Sequence, residues 1–570
     1  MQLSCIKPVQ TGWCEHRGVP RLPPPAPPAA DDLLTELLRR HDELVDALTR
    51  AVEHAPSSAS VWPVPLPQGS RVERVQTHIS TVLLAGGHAL KLKRPVQWPF
   101  ADFSTLDRRE RFCREELRIN RRTAPGLYLD VLPITGTPGA PRVGGAGPVI
   151  DWGVWMRRFD EAALFDHLAR EGHLTEQHVV ALAATVAAFQ AAQAPSPRYG
   201  DPGEVLRWAQ DNLAELRALC SQRPGWSVAS VQGLDRLDDW TSTRHAQLAT
   251  LVQRRRVEGA VIEGHGDLHL ANIAWHEGAP LLFDAIEFEP SLRHADRMSD
   301  LAFVFMDLLD HGLPRLAWRW LSGVLEQGGD YDGLPLLRWF AVYRALVRAK
   351  VALLGEGSQA DAVARRRIAL AQALAWPSAP ARLVVVCGLS GSGKSTVALG
   401  LVEALGAVRV RSDVERKRLH GLAPTQRPVE PALVYNAAST ELTYARLGAA
   451  ACAALAGGVS VIVDAVFNRR DERDAMRRIA AESGADCVVV DCRAGEATMR
   501  ARIERRLAAG TDASDADAAV LAMQQRSRDV PDPREGATFV MDTDCALPQC
   551  RARVEALAKA MAGSGTMDVR

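Results

Sequence analysis

Three polar residues in one short region are spaced to do chemistry on phosphate. Asp267 and Asn272 flank Leu268-His-Leu-Ala271 in the run Gly264–Asn272, and the apolar triplet Leu281-Leu-Phe283 then delivers Asp284. Phosphoryl transfer needs a carboxylate to orient an attacking hydroxyl and accept its proton. It also needs an amide and a second carboxylate to hold Mg²⁺ on the phosphates of a nucleotide. Asp267 fits the first role, Asn272 and Asp284 the second. An acid-rich surface hairpin has no reason to place an acid at the end of an apolar strand. A zinc site on His265 and His269 has no Cys nearby to complete its ligand set.

A second phosphate signature stands at Gly388-Leu-Ser-Gly-Ser-Gly-Lys-Ser-Thr396, directly after the apolar run Leu383–Cys387 and before a helical stretch. This is the Gly-x4-Gly-Lys-Ser pattern in its required strand–loop–helix setting. Gly388, Ser390, Gly391, Ser392 and Gly393 let backbone N–H groups wrap a phosphate. Lys394 reaches the outer phosphates, Ser395 holds Mg²⁺, and Thr396 stands at the helix start. Further apolar runs follow at 408–410, 459–463 (ending at Asp464), 488–490 and 538–541. They alternate with helical stretches, as a parallel sheet requires. Asp464 then ends a buried strand beside the loop, a suitable place for a water-mediated Mg²⁺ contact. No acid adjoins it, which argues against a motor-type hydrolase.

The run His265-Gly-Asp-Leu-His269 through Asn272, then Asp284, resembles the catalytic motif of aminoglycoside phosphotransferases and their relatives, the choline, homoserine and fructosamine kinases. The later Asp296-Arg-Met-Ser-Asp300 fits the same pattern. That resemblance implies a catalytic base at Asp267, Mg²⁺ ligands at Asn272 and Asp284, and a structural Asp300. It also implies a Lys on the third strand that grips the α and β phosphates of ATP, paired with a Glu on the next helix. The alternation over Val72–Lys93 offers Lys91 or Lys93, one pleat apart on the same face, and Leu106–Arg122 offers Glu115 or Glu116; Lys91 and Glu116 are preferred. No Gly-x-Gly-x-x-Gly precedes the Lys strand, so Thr77–Ser80 must cover the phosphates by a shorter turn.

Thr77–Ser80, Lys91–Pro95 and Asp102–Asp107 are similar to a bacterial group in which an aminoglycoside-phosphotransferase-like domain is fused to a P-loop kinase-like domain. In the second half, Asp413-x-x-Arg416 resembles the acceptor-side motif of small kinases of the polynucleotide-kinase type. By that resemblance Asp413 activates an acceptor hydroxyl and Arg416 clamps phosphate; an Asp capping the helix at Val414 is an equal alternative. Arg505 and Arg506, within the basic run 500–506, are the lid candidates, against a plain basic helix face. Arg344 and Arg348, four apart on one helical face, could bind an anionic group or pair with acids; pairing is the favoured reading.

These residues need two scaffolds, and 570 residues with 47% apolar content supply them. The expected fold is mixed α/β and α+β. Residues 1–30 form a Pro-rich disordered tail. A bilobal, protein-kinase-like domain covers 31–375, with its small lobe at about 55–160 and its large lobe at about 161–375. A linker spans 376–382, and a P-loop kinase-like parallel-sheet domain spans 383–560. Asp31-Asp32 opens an amphipathic helix that packs on the first domain. Met156–Phe159 is expected beside the adenine.

The 68 basic and 68 acidic residues cancel, which argues against a nucleic-acid partner. Ten scattered Cys without a Cys-x-x-Cys pair read as reduced thiols. No apolar run reaches the roughly 20 residues of a membrane span, so a cytoplasmic protein is expected. The function these readings support is a phosphotransferase with two nucleotide sites, using Mg-ATP on small-molecule hydroxyl acceptors. A kinase regulated by a nucleotide-sensing P-loop module is the alternative, and a polynucleotide end kinase in the second half is a third.

Overall fold

The five-stranded sheet carries the Gly388–Thr396 motif, a separate two-stranded hairpin frames the 267–284 motif, and helices fill the space between and around the sheets. The computed structural model describes residues 28–54, 61–66, 70–98, 101–226, 228–355 and 357–562. The expected tail lies outside the described residues as far as position 27. Helix α1 (Pro28–His54) begins three residues before the expected Asp31 start.

The first sheet is antiparallel. Strands β1 (Glu73–Gln76), β2 (Ser80–Ala85) and β3 (His88–Lys93) form a meander, and helix α2 (Leu106–Asn120) follows. Thr105 caps α2, its hydroxyl accepting the Arg108 N–H. Strands β4 (Tyr128–Thr137), β5 (Ala140–Val143) and β6 (Val149–Arg157) complete the order β1-β2-β3-β6-β4-β5. Gly86 turns β2 into β3 at φ +55°, a backbone conformation that strains any residue with a Cβ. The alternation of β3 sends Leu90 and Leu92 under α1, where they meet Leu44, Val45 and Leu48, and leaves Lys91 and Lys93 on the opposite face.

A helical unit follows: α3 (Glu176–Ala191), α4 (Pro202–Ser221) and α5 (Val228–Val257). The long α5 buries both Leu234 and Leu237 fully in its packed face. The short hairpin β7 (Ile273–His276) and β8 (Ala279–Leu282) frames the 267–284 motif. Helices α6 (Arg297–Asp310), α7 (Pro314–Gly328), α8 (Leu334–Leu353) and α9 (Ser358–Ala375) pack behind it.

The second sheet is wholly parallel. Its strands are β9 (Arg382–Cys387), β10 (Ala407–Arg411), β11 (Ser460–Asp464), β12 (Asp486–Arg493) and β13 (Ala537–Asp542), in the order β10-β11-β9-β12-β13. Strands buried on both faces read as continuous apolar runs, and Leu383–Val386 does. One face meets helices α10 (Lys394–Leu405) and the C-terminal Leu547–Ala562. The other face, through Leu383, Val385, Val408 and Val410, belongs to the same buried cluster as Trp320 of α7 and Leu346 of α8. The apolar interior thus continues from the helical unit into the parallel sheet. No helix among the described residues is long and apolar enough to cross a membrane.

Past the end of β11 the chain is held by an enclosed guanidinium. Arg473 forks onto Glu535 (2.9 and 2.8 Å) and donates to the carbonyls of Phe467 (3.0 Å) and Asp529 (2.9 Å). Those hydrogen bonds, with burial opposing, lower the Glu535 carboxyl to about 2. The stabilisation is therefore complete above the ordinary carboxyl value and is lost as pH falls toward 2. Arg473→Met leaves the buried Glu535 carboxylate with only Arg477 (3.1 Å) and the Asp532 N–H (3.2 Å) as donors. Urea unfolding at neutral pH should show a loss of about 3 kcal/mol from the missing charged hydrogen bonds, and the deficit should shrink as the buffer is acidified.

Candidate active sites

The first site is built on a carboxylate clamp. Asp300, in the first turn of α6, accepts the backbone N–H of His265 (2.8 Å) and of Gly266 (3.0 Å). Asp307, two turns on, accepts the N–H of Leu270 (2.8 Å). The loop 264–272 is held at both ends by one helix. A Cβ at Gly264 would lie 2.4 Å from the Asp300 carboxylate, so the first glycine is needed for this approach. His265 is buried, hydrogen-bonded to the Phe283 carbonyl (2.9 Å) and kept neutral by its burial.

Within that loop the Asn272 amide donates to the Asp267 carbonyl (2.9 Å) and carboxylate (3.2 Å), and His269 Nε2 lies 3.4 Å from the same carboxylate. Burial alone would raise the Asp267 pKa. His269, Arg348 and Arg344 outweigh it and hold the carboxyl well below its usual range, so Asp267 is anionic at neutral pH. Asp284 adopts a left-handed backbone (φ +63°), a conformation that Asp tolerates better than most residues. Its N–H donates to the Tyr128 hydroxyl (3.1 Å), and its carboxylate is 2.5 Å from Lys91 Nζ.

Lys91 also meets Glu116 (2.8 Å), joining strand, helix and loop in one contact. The preferred Lys91 and Glu116 therefore stand together, but Glu116 serves both lysines. Its second oxygen is 2.5 Å from Lys93, which also binds Glu287. Burial disfavours charge on all four groups. With two ammonium contacts Glu116 is still driven below the carboxyl range, and both lysines rise, while burial and the Glu116 charge push Glu287 upward. Glu115 faces elsewhere, to Arg118 and Arg293. Thr77 and Ser80 close a tight turn through the Thr77 hydroxyl, which donates to the Ser80 carbonyl and accepts its N–H. Phe159 packs on Phe283 with ring centroids 4.9 Å apart, which sets the 156–159 segment against the hairpin that carries Asp284.

At the second site the loop 388–393 is folded so tightly that side chains are excluded at Gly388 and Gly391. A Cβ on Gly388 would fall 2.5 Å from the Cys492 carbonyl, and one on Gly391 2.5 Å from that of Met499. Ser390 N–H donates to Gln524 (2.9 Å), the Ser392 hydroxyl is buried without a partner, and Gly393 caps α10. Lys394 is folded back, donating to the Leu389 carbonyl (3.0 Å). Burial lowers its pKa, against the charges of Asp464 and Asp413. Ser395 and Thr396 open the helix, and the Ser395 carbonyl accepts from Arg409 (3.2 Å). Asp464 is 2% exposed and its Oδ2 has no hydrogen-bond partner.

Asp413 does not cap the helix. The helix begins at Ser412, which puts Asp413 inside its first turn. Arg416 turns toward Val434, Ser439 and Thr440 and lies over the Tyr435 ring, away from the loop. Arg505 is exposed and bonds only its own helix, whereas Arg506 donates to the Ala516 carbonyl and its charge acts on Lys394.

Several residues at the sites were not found by reading the sequence. Glu287 and Asp307 were missed, although Glu287 stands three residues after Asp284. Arg409 and Arg411 lie 3.8 and 3.9 Å from Asp464, and Glu326 of α7 reaches Arg409 (2.6 Å). Strand alternation puts both arginines on one face, a signal that was available. Arg502 braces the loop through Gly391 and Thr543.

Over 464 residues the chain is 33% identical to Rv2004c, an uncharacterized protein of Mycobacterium tuberculosis, covering 80% of this chain and 90% of that one. It belongs to that protein's family. Mb2027c of Mycobacterium bovis matches to the same extent. Residues 383–531 match the AAA domain family. Among solved structures, a gluconokinase from Sinorhizobium meliloti is 23% identical over 32% of this chain and 94% of its own, with a TM-score of 0.24. A choline kinase from Cryptosporidium parvum is 11% identical over 54% and 88%, with a TM-score of 0.36. At such scores the likenesses decide nothing about fold or activity.

Glu116→Gln should expose the dependence of the first site on its buried charges. Lys91 and Lys93 would share a neutral amide, and stability should fall by about 3 kcal/mol, read by chemical denaturation. Calorimetry should show weaker nucleotide binding at the first site with the second unchanged. Glu115→Gln should leave nucleotide affinity as it was.

Proposed function

We propose that the chain is an ATP-dependent phosphotransferase with two nucleotide sites, moving the γ-phosphoryl group of Mg-ATP to hydroxyl groups of small-molecule acceptors. The observation that carries this reading is the contact of Lys91 with both Glu116 and Asp284, beside a loop where Asn272 braces an anionic Asp267. A cation that can grip phosphates, an oxygen donor for a metal and a carboxylate for an acceptor hydroxyl are what the reaction asks for. The match of residues 383–531 to the AAA domain family supports a nucleotide at the second site.

Mg²⁺ fits the donors at both sites. The Asp284 carboxylate is 42% exposed, and the Asn272 amide oxygen is not used by the loop. At the second site the unpartnered Asp464 Oδ2 and the Ser395 hydroxyl are hard oxygen donors of the kind Mg²⁺ takes. Bound there, the ion neutralises phosphate charge. Asp267 and, at the second site, Asp413 would orient and deprotonate the acceptor, while Lys91 and Lys394 hold phosphates.

A second reading is favoured by the ion pair of Glu326 with Arg409 next to Asp464. Under it the P-loop half senses nucleotide and transfers nothing.

Asp267→Asn should reduce first-site transfer by about 10²–10⁴-fold and leave nucleotide affinity near wild type, measured with γ-labelled ATP across an acceptor panel. Unchanged turnover would refute the assignment. Wild-type protein should bind two nucleotides per chain by calorimetry and Lys394→Ala one. Asp413→Asn separates the two readings of the second half. Retained ATP affinity with lost transfer supports a kinase, and the absence of any acceptor for wild type supports the sensor.

A further inference from the structure

Two arginines beside the first site have Asp267 as a more distant opposite charge but no carboxylate in ion-pair contact among the described residues. Arg344 and Arg348 lie one turn apart on α8. Arg344 is 5% exposed, donates one N–H to the Ser299 hydroxyl (3.0 Å), and stacks over Phe303 (4.7 Å) and Tyr343 (5.4 Å). The Nε atoms of both arginines are buried without a partner. No carboxylate among the described residues pairs with either. The acids of α6 are spent elsewhere: Asp300 and Asp307 on the catalytic loop, Asp310 on Arg366 and Arg367.

The position of the pair relates it to the chemistry. The Phe303 ring that carries Arg344 lies edge-on to His269 (5.4 Å), and His269 touches Asp267. Both arginine charges act on the Asp267 carboxylate. Folding a guanidinium into such a place without a counter-ion in contact is costly. A planar fork of donors is suited to grip a phosphate or carboxylate in two-point fashion.

We infer that the acceptor of the first site is an anionic alcohol, whose phosphate or carboxylate is bound by Arg344 and Arg348 while its hydroxyl faces Asp267. This rests on the reading of Asp267 as the acceptor-side acid. It replaces the expectation that these arginines pair with acids of the protein. It also accounts for a difficulty of charge: a negative acceptor must approach a negative nucleotide, and two unpaired cations on the acceptor side offset that repulsion.

The test is calorimetric titration of the full-length Lys394→Ala protein, saturated with the non-hydrolysable ATP analogue AMP-PNP and Mg²⁺. The probes are glycerol 3-phosphate, glycerate and glycerol. At least one anionic probe should bind and glycerol should not, and the stronger of the two anions tells phosphate from carboxylate. Arg344→Gln/Arg348→Gln should weaken the anion by about tenfold or more with AMP-PNP affinity unchanged. Arg348→Gln alone, at a half-exposed position, should act in the same direction if the double variant fails to fold. Arg348→Lys should restore part of the affinity. Binding of neither anion, equal binding of glycerol, or unchanged anion affinity in the variants would overturn the inference. If instead Asp267→Asn turns over normally while the arginine variants lose anion binding, the catalytic assignment fails and the anion site stands.

Discussion

Charges leave water only in company, and that constraint shapes the first half of the molecule. Lys91, Lys93, Glu116 and Glu287 come from a strand, a helix and the segment after a hairpin, and none could be enclosed alone, while the part-exposed Asp284 meets Lys91 at the open side. Their mutual need fixes three elements at once. It also explains the left-handed backbone at Asp284, since the surrounding contacts determine where that carboxylate must go. The Asp300 and Asp307 clamp does the same for the loop below with backbone donors in place of ammonium groups.

The second site is governed by exclusion. Gly388 and Gly391 approach the carbonyls of Cys492 and Met499 so closely that no side chain fits at either position. The polar groups around it, the Ser392 hydroxyl and Asp464 Oδ2, are enclosed but unsatisfied. The same edge of the sheet receives Glu326 and the Tyr331 hydroxyl from the helical unit, the latter donating to the Arg409 carbonyl.

Local rules made much of this legible. Spacing located Asp267, Asn272 and Asp284 around one hairpin, and strand alternation put Lys91 on its face. Alternation could not choose between Lys91 and Lys93, because period two puts both on one side; Glu116 contacts both. The parallel strands were found within a few residues because their apolar runs are continuous. Groups whose partners are distant in sequence were not legible. Nothing near Arg409 announces Glu326, some 80 residues earlier, and nothing near Arg344 says that the acids of α6 are already committed. Of the two readings open for Asp413, the cap does not hold, because Ser412 and Asp413 both suit that place and the helix takes its start one residue sooner.

The unbroken apolar cluster between the helical unit and the parallel sheet has a consequence for heredity. Two catalytic units joined by a bare tether can be shuffled, duplicated or lost independently, since each is soluble alone. Here one face of the sheet, through Leu383, Val385, Val408 and Val410, is covered in part by helices encoded upstream of it. A break in the reading frame between them would uncover that face and produce an aggregating fragment in place of a smaller enzyme. The two phosphate-motif sites are thereby kept on one chain by solubility.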